Sequence, residues 1–249
     1  MTQGDSVRPK RGPWLEGFLL LAALLSLVSI ILMIRSLVAM TYLNIHFAHE
    51  VDPFSRAISY YVFYGDGGEW FHNSVLVLAA GSVTMLAGLW TVGIRFGRPA
   101  TALFGVWCTS LTLCAIFPTD NSKHVESTSG LIHQIAGASL FVSLPLAGLS
   151  LSRRLAGDDR WLRTARVVRR MAMIALGLAA AYLATRLPDL LPGLALAGVL
   201  DGRGISGLVQ RALFGIEMLI LMALAVRLLR VAVSAARERG KPARAEVTS

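Results

Sequence analysis

Apolar residues are gathered into six long runs that polar and charged segments separate. The runs cover residues 14–40, 69–94, 101–118, 128–151, 171–187 and 207–229. Several reach about 18 residues or more, the length at which a helix can cross the hydrocarbon core of a bilayer. Apolar and polar positions do not alternate within the runs, so the strands of a membrane barrel are excluded. The pattern predicts an all-α, polytopic integral membrane bundle of six transmembrane helices.

The segments between the runs differ in character. The first run follows Arg8, Lys10 and Arg11 and is too long for the apolar part of a signal peptide, so we expect a retained first span. Residues 41–68 are polar and aromatic and have room for a short interfacial helix. Residues 189–206 are partly apolar and contain Pro192, so we expect them to lie in the interface or to enter the membrane.

Basic residues indicate the orientation of the bundle. If the N-terminus is cytoplasmic, the inside segments hold 18 of the 24 Lys and Arg residues. This bias predicts an N-in, C-in protein of the inner (plasma) membrane, with residues 1–13 and the basic tail 230–249 in the cytoplasm and the six-helix domain over 14–229. Because topology explains the basic composition, nucleic acid is not expected as a partner. The partner is the lipid bilayer, with anionic lipid near residues 153–170. The sequence does not indicate an oligomeric state.

All five histidines fall on the predicted outer side, and part of them belongs to a polar cluster that opens the second span. Glu69, His72 and Asn73 share one helix face by their spacing. Asp66 and Glu69 also have the spacing of a capping box, so capping is the alternative to a binding role for these two. Capping does not account for His72 or Asn73, which lie one turn deeper.

A second polar cluster surrounds the connection between the third and fourth spans. Asp120 ends the third span, His124 follows, and His133 and Gln134 lie inside the fourth, for which Thr128 is a plausible N-cap. A buried imidazole needs a hydrogen-bonding partner or a wet cavity. Because the hairpin is short, we expect Asp120 and His133 to share a hydrogen bond or a bridging water. They would then form a catalytic base pair, or a divalent-metal site together with His72, or serve only to hold the structure.

Glu217 lies near the middle of the sixth span, where a carboxylate that faces lipid would be costly. We therefore expect it to point into the bundle, towards a polar partner from the second or fourth span. Gln210 lies on the same face, seven residues earlier. Arg211 and Arg186 are the candidate countercharges. The two cysteines, Cys108 and Cys114, fall on different faces of one span and are expected to be inert thiols.

Two stretches of the sequence carry a resemblance to a known family: Phe117-Pro118-Thr119-Asp120 and, after it, Gly130-Leu131-Ile132-His133. They resemble the bacterial six-span family catalogued as domain of unknown function 998, which is common in actinobacteria. The stretch from Ile58 to Gly65 before the second span is also similar. The resemblance implies a six-helix membrane fold and carries no established activity. His72 and Glu217 do not map onto a motif of that family.

These observations predict a polar cavity that opens outside the cytoplasm and binds a lipid, a small apolar ligand or a metal ion. Asp120, His133 and Glu217 are the candidate catalytic residues, and a divalent metal is the one candidate cofactor. The sequence leaves open whether the protein is an enzyme. The alternatives are a proton-coupled transporter, in which Glu217 titrates, and an accessory membrane protein. The remaining expected lining residues are polar side chains of the same clusters: Glu69, His72, Asn73, His124, Gln134 and Gln210.

Overall fold

The computed structural model describes residues 14–122, 125–190 and 202–239, and over these residues it contains helices and no strand. Six helices are long and apolar enough to cross a membrane, which confirms the predicted fold class. They are α1 (Trp14–His46), α2 (Gly67–Thr91), α3 (Gly97–Ile116), α4 (Thr128–Leu155), α5 (Leu162–Leu190) and α6 (Ser206–Arg239). Two short 3-10 helices, Ile58–Phe63 and Gly202–Ile205, lie between them.

Several helices extend beyond the apolar runs that predict them. The first helix continues past residue 40 to His46, the fifth begins at Leu162 instead of 171, and the sixth continues to Arg239. A helix requires only satisfied backbone hydrogen bonds, so charged residues can prolong it on either side of the apolar stretch. The basic segment 152–170 is therefore mostly the facing ends of α4 and α5. Residues 191–201, part of the segment expected at the interface, lie outside the described residues.

The helices form a ring in chain order, in which each packs against the next and α6 returns to α1. Across the middle, α6 also contacts α2 and α4. Two serines hold α1 close to its neighbours. The Ser26 hydroxyl donates to the Ala225 carbonyl at 2.6 Å, and the Ser29 hydroxyl donates to the Gly81 carbonyl at 2.8 Å. Small hydrogen-bonding residues of this kind let membrane helices approach closely.

One end of the ring collects the histidines that the structure describes. There α1 and α3 end and α2, α4 and α6 begin; we call it the histidine end, and the sequence predicts that it faces outside the cytoplasm. The 3-10 helix Ile58–Phe63 covers this end and buries Ile58, Ser59 and Tyr61. It corresponds to the short interfacial helix for which residues 41–68 have room.

Arg211 of α6 binds the segment that covers the histidine end. We call this segment, residues 47–66 between α1 and α2, the covering segment. The Arg211 guanidinium donates to the carbonyl of Pro53 at 2.8 Å, the carbonyl of Arg56 at 2.7 Å, the hydroxyl of Tyr61 at 2.9 Å and the side-chain oxygen of Asn44. These bonds occupy the guanidinium, so its expected role as a countercharge to Glu217 is wrong. The side chain of Arg186, the other candidate, lies outside the described residues.

Candidate functional site

The hairpin between α3 and α4 is held by side chains of α4 that reach back to the end of α3. The ring of His133 donates from Nδ1 to the Phe117 carbonyl at 2.7 Å, and the Ser129 hydroxyl donates to the Pro118 carbonyl at 2.9 Å. The Phe117 carbonyl belongs to the C-cap of α3 and the Pro118 carbonyl follows it, where no further helical turn supplies a donor, so these side chains satisfy both. Since a carbonyl can only accept, Nδ1 carries a proton, and in the neutral form of the ring Nε2 is an acceptor.

Asp120 closes the same hairpin from the loop. Its carboxylate accepts from the Ser127 hydroxyl at 2.6 Å and from the backbone N–H groups of Glu126 at 2.8 Å and Ser127 at 3.1 Å. These bonds hold the pKa of Asp120 below its usual value, and the bond from the Ser127 hydroxyl has the largest effect. The Ser127 hydroxyl in turn accepts from the Gly130 N–H, so Ser127 is the N-cap of α4, and the proposed cap at Thr128 is wrong.

The predicted hydrogen bond between Asp120 and His133 is not formed in the described structure. Asp120 lies level with the first turn of α4 and is used there, whereas His133 is a turn deeper and reaches Phe117 instead. A Cβ atom at position 130 would overlap the Asp120 carboxylate, which accounts for Gly130. Phe117, Asp120, Gly130 and His133, which belong to the stretches that carry the family resemblance, therefore close the hairpin, and we call this set of contacts the hairpin lock. The His133 Nε2 atom takes no part in it.

A cavity of about 300 Å³ opens at the histidine end, beside this hairpin. We call it the histidine-end cavity, and its polar lining consists of Ser59, Tyr60, Thr119, Asp120, Ser122, His133, Gln134, Tyr182 and Gln210. A smaller central cavity, of about 70 Å³, lies next to it among α1, α2, α3, α4 and α6. The two share Ser59, His133, Gly137, Phe141 and Gln210.

Of the predicted lining residues, Asp120, His133, Gln134 and Gln210 meet in the histidine-end cavity. Gln210 is held there because its side-chain oxygen accepts from the backbone N–H of Ile58 at 2.9 Å. This bond fixes the cavity wall to the covering 3-10 helix. His124 lies outside the described residues.

The cluster at the start of α2 does not enter this cavity. Glu69 and Asn73 are exposed, and Asn73 accepts from Arg35 of α1 at 3.3 Å. Asp66 accepts from the indole of Trp70 and makes no capping bond, so the capping box is not formed. The Nε2 atom of His72 is buried without a hydrogen-bonding partner in the described part of the chain.

Glu217 is fully buried, which agrees with the expected inward orientation. Neither carboxylate oxygen, however, has a hydrogen-bonding partner among residues 14–122, 125–190 and 202–239. The expected polar partner from the second or fourth span is therefore absent from the described residues. Glu217 also does not line the histidine-end cavity or the central one.

The expected metal site is not assembled in the described residues, where no three His, Cys, Asp or Glu side chains meet in a way that could hold an ion. His72 and His133 are on different helices, and the Asp120 oxygens accept hydrogen bonds from the hairpin. The cysteines Cys108 and Cys114 are free. The predicted metal site formed by His72, Asp120 and His133 is therefore wrong.

Sequence reasoning missed the aromatic and small residues of the cavity. Tyr60 donates from its hydroxyl to the Ser122 carbonyl at 3.0 Å, and Tyr182 stacks edge-on against Phe141 with ring centres 5.5 Å apart. Gly137 leaves open space where a Cβ atom would stand. The run of aromatic residues before α2 is the one signal that the sequence offers, and such a run is equally typical of a contact with lipid headgroups.

A family model described as "Protein of unknown function (DUF998)" matches residues 36–227. The match covers more than half of the sequence and includes every helix except the first part of α1 and the last turns of α6, so the chain belongs to this family. No curated protein and no solved structure matches the sequence.

Proposed function

We propose that this DUF998 protein binds an amphipathic membrane molecule, a lipid, in the histidine-end cavity. The observation that carries the proposal is the composition of the cavity wall. Polar groups that can bond a headgroup meet apolar side chains of α4 and α5 within one space of about 300 Å³. Ligand sites are typically concave and mostly apolar, with a few polar groups that fix the orientation.

The polar groups lie near one end of the candidate membrane span of α4, where we expect a lipid to change from headgroup to acyl chain. His133 is five residues beyond Thr128, roughly 8 Å along α4 from its start. Its free Nε2 acceptor and the amide of Gln134 offer both acceptor and donor atoms, and Asp120 adds a negative charge at the rim. A headgroup with hydroxyl or ammonium donors fits this set.

The apolar groups extend the cavity towards the bilayer. Leu131 and Ile135 line it and are 46% and 59% exposed on the surface of α4, and Leu183 faces them from α5. In a membrane this rim would lie against acyl chains, so a lipid could enter sideways between α4 and α5. The need to cover apolar surface favours a lipid over a small polar solute.

Gly137 provides the test because it lines the cavity and a Cβ atom there would meet only open space, so a larger side chain has room to enter the cavity. We expect Gly137→Leu to fold and to lose the bound lipid. The protein is reconstituted with a phospholipid that carries a photoactivatable diazirine in one acyl chain, and cross-linked peptides are mapped. Cross-linking to the α4 segment that begins at Leu131 should fall about tenfold, which corresponds to about 1.4 kcal/mol of binding.

The matched control is Gly105→Leu on α3, which also meets open space but lies on an exposed face. It should be labelled like the wild type, and both variants should unfold near the wild-type temperature. Equal labelling of α4 in wild type and Gly137→Leu, with both folded, would contradict the proposal. The protein would then fit the accessory role, in which the polar cluster serves the hairpin alone.

A second candidate, proton-coupled transport, is favoured by Glu217. A fully buried carboxylate without a partner in the described structure is costly, and intramembrane acids of this kind mark proton or ion pathways. Proteoliposomes loaded with a pH-sensitive dye and given a membrane potential would test it. Proton flux that disappears in Glu217→Gln and persists in Glu69→Gln, an exposed control, would favour transport.

A further inference from the structure

We infer that a groove between α5 and α6, at the end of the bundle opposite the histidine end, binds an anionic phospholipid. The groove encloses about 520 Å³. Its mouth is lined by Arg160, Arg163, Arg227 and Arg230, and we call it the arginine groove. The site is separate from the histidine-end cavity, and the inference does not depend on the function proposed above.

The mouth of the groove carries positive charge that the neighbouring acids only partly neutralise. Its four arginines face one lining acid, Asp159, and the charge of Asp158 beside the groove also acts on Arg160 and Arg227. Arg160 is engaged by Asp158 at 2.7 Å, but Arg163 and Arg230 are exposed and make no ion pair within the described chain. Guanidinium groups match phosphate oxygens in geometry and charge, so a phosphate is the natural partner of this mouth.

Arg227 adds an observation of a different kind. One end of its guanidinium donates to the Arg160 carbonyl, which holds the side chain in place across the groove. Its Nε–H, by contrast, is buried and has no acceptor among the described residues. A buried charged donor without a partner is costly, and an anion bound at the mouth of the groove would offset part of that cost through its charge.

The rest of the groove is apolar, which distinguishes a lipid from a soluble phosphate. Along α5, Arg163 is followed on the same face by Val167 and Met171, and the facing wall of α6 includes Leu219 and Met222. Val167 is 38% exposed and Leu219 is 50% exposed. The distance along α5 from Arg163 to Met171 is roughly 12 Å, close to the hydrocarbon depth of one leaflet, about 15 Å. An acyl chain would cover this strip.

The test compares short-chain lipids on the full-length protein in detergent. We expect native mass spectrometry to show dioctanoyl phosphatidylglycerol binding about tenfold more tightly than dioctanoyl phosphatidylcholine. Arg163→Gln/Arg230→Gln should lose about tenfold in affinity for the anionic lipid. The control Arg166→Gln/Arg169→Gln removes the same charge from exposed positions of α5 outside the groove and should lose far less.

Three results would overturn the inference. One is equal binding of the two lipids, and another is an equal loss in the two double variants, which would mean diffuse charge attraction. The third is displacement of the lipid by inorganic phosphate at the same concentration, which would mean a phosphate site. If Arg163→Gln/Arg230→Gln does not fold, Ala223→Phe, which narrows the apolar part, should lose the same binding. Gly137→Leu should leave it unchanged.

Discussion

Gln210 and Glu217 lie on one face of α6, two turns apart, and they differ in their hydrogen bonding. Both are buried, with 8% and 0% of their surface exposed. Gln210 bonds the covering 3-10 helix, whereas both oxygens of Glu217 lack a partner in the described residues. Burial of a polar group is tolerated when it is hydrogen-bonded and costly when it is not, so only Gln210 is expected to contribute stability.

This contrast predicts opposite results for the same substitution. Gln210→Leu should lower the free energy of unfolding by about 1–2 kcal/mol, because it leaves the Ile58 N–H unpaired. Glu217→Leu should be neutral or stabilising by about 1–3 kcal/mol, because no bond is lost and a buried polar group is removed. Thermal unfolding in detergent measures both. A large destabilisation by Glu217→Leu would mean that the carboxylate has a structural partner.

The burial of Glu217 could be predicted from the sequence, because a carboxylate in the middle of an apolar run cannot face lipid. The partners could not be predicted, since these depend on how the helices are rotated and on segments distant in the chain. Arg211 illustrates the difficulty. It is six residues from Glu217 in sequence, yet it bonds Pro53, Arg56 and Tyr61.

The α3–α4 hairpin is the element whose structure follows most directly from its local sequence. The spacing of Asp120 and His133 suggests a site, and Phe117 and Gly130 belong to the stretches that carry the family resemblance. All four take part in closing the hairpin. The proximity of the two segments could be predicted from the short loop. The pairing could not, because Asp120 has closer donors in Ser127 and Glu126 than in His133.

The lowered pKa of Asp120 makes the stability of this hairpin depend on pH. A carboxyl whose pKa is lower in the folded protein stabilises it above the unfolded value, about 3.9, and this contribution is lost as the pH falls through the folded value. Asp120→Asn lacks the contribution at every pH. Its unfolding temperature should therefore lie furthest below that of wild type above about pH 5 and should approach it below about pH 4.

The control for this measurement is Glu126→Gln. It removes an exposed carboxylate from the same loop, and only the backbone N–H of Glu126 takes part in the lock. Its unfolding temperature should differ from that of wild type far less than the Asp120→Asn value does. If the difference between wild type and Asp120→Asn is the same at pH 3 and pH 6, the hydrogen bonds to the ionised carboxylate do not stabilise the hairpin.

For the whole molecule, the two ends of the bundle have different chemistry. The histidine end carries a covering segment, a hairpin lock and a cavity with neutral and acidic groups. The opposite end carries exposed arginines at the facing ends of α5 and α6. The number of spans and this difference could be predicted from apolar runs and charge, since both are properties of long segments. A polar cavity could be expected from the clustered polar residues, but its shape and its aromatic and small lining residues could not, because they arise from gaps between helices that no single segment encodes.

The orientation of these ends in the membrane is the remaining prediction, and it follows from the distribution of basic residues. In a background with Cys108 and Cys114 replaced by alanine, Glu50→Cys marks the histidine end and Gly157→Cys marks the turn between α4 and α5. Both positions are exposed, and a Cβ at 157 makes only an ordinary contact at 3.5 Å. We expect a membrane-impermeant maleimide to label Glu50→Cys in intact cells and to label Gly157→Cys only after permeabilisation. Labelling of Gly157→Cys in intact cells would mean that the bundle has the opposite orientation, with the arginine groove in the outer leaflet.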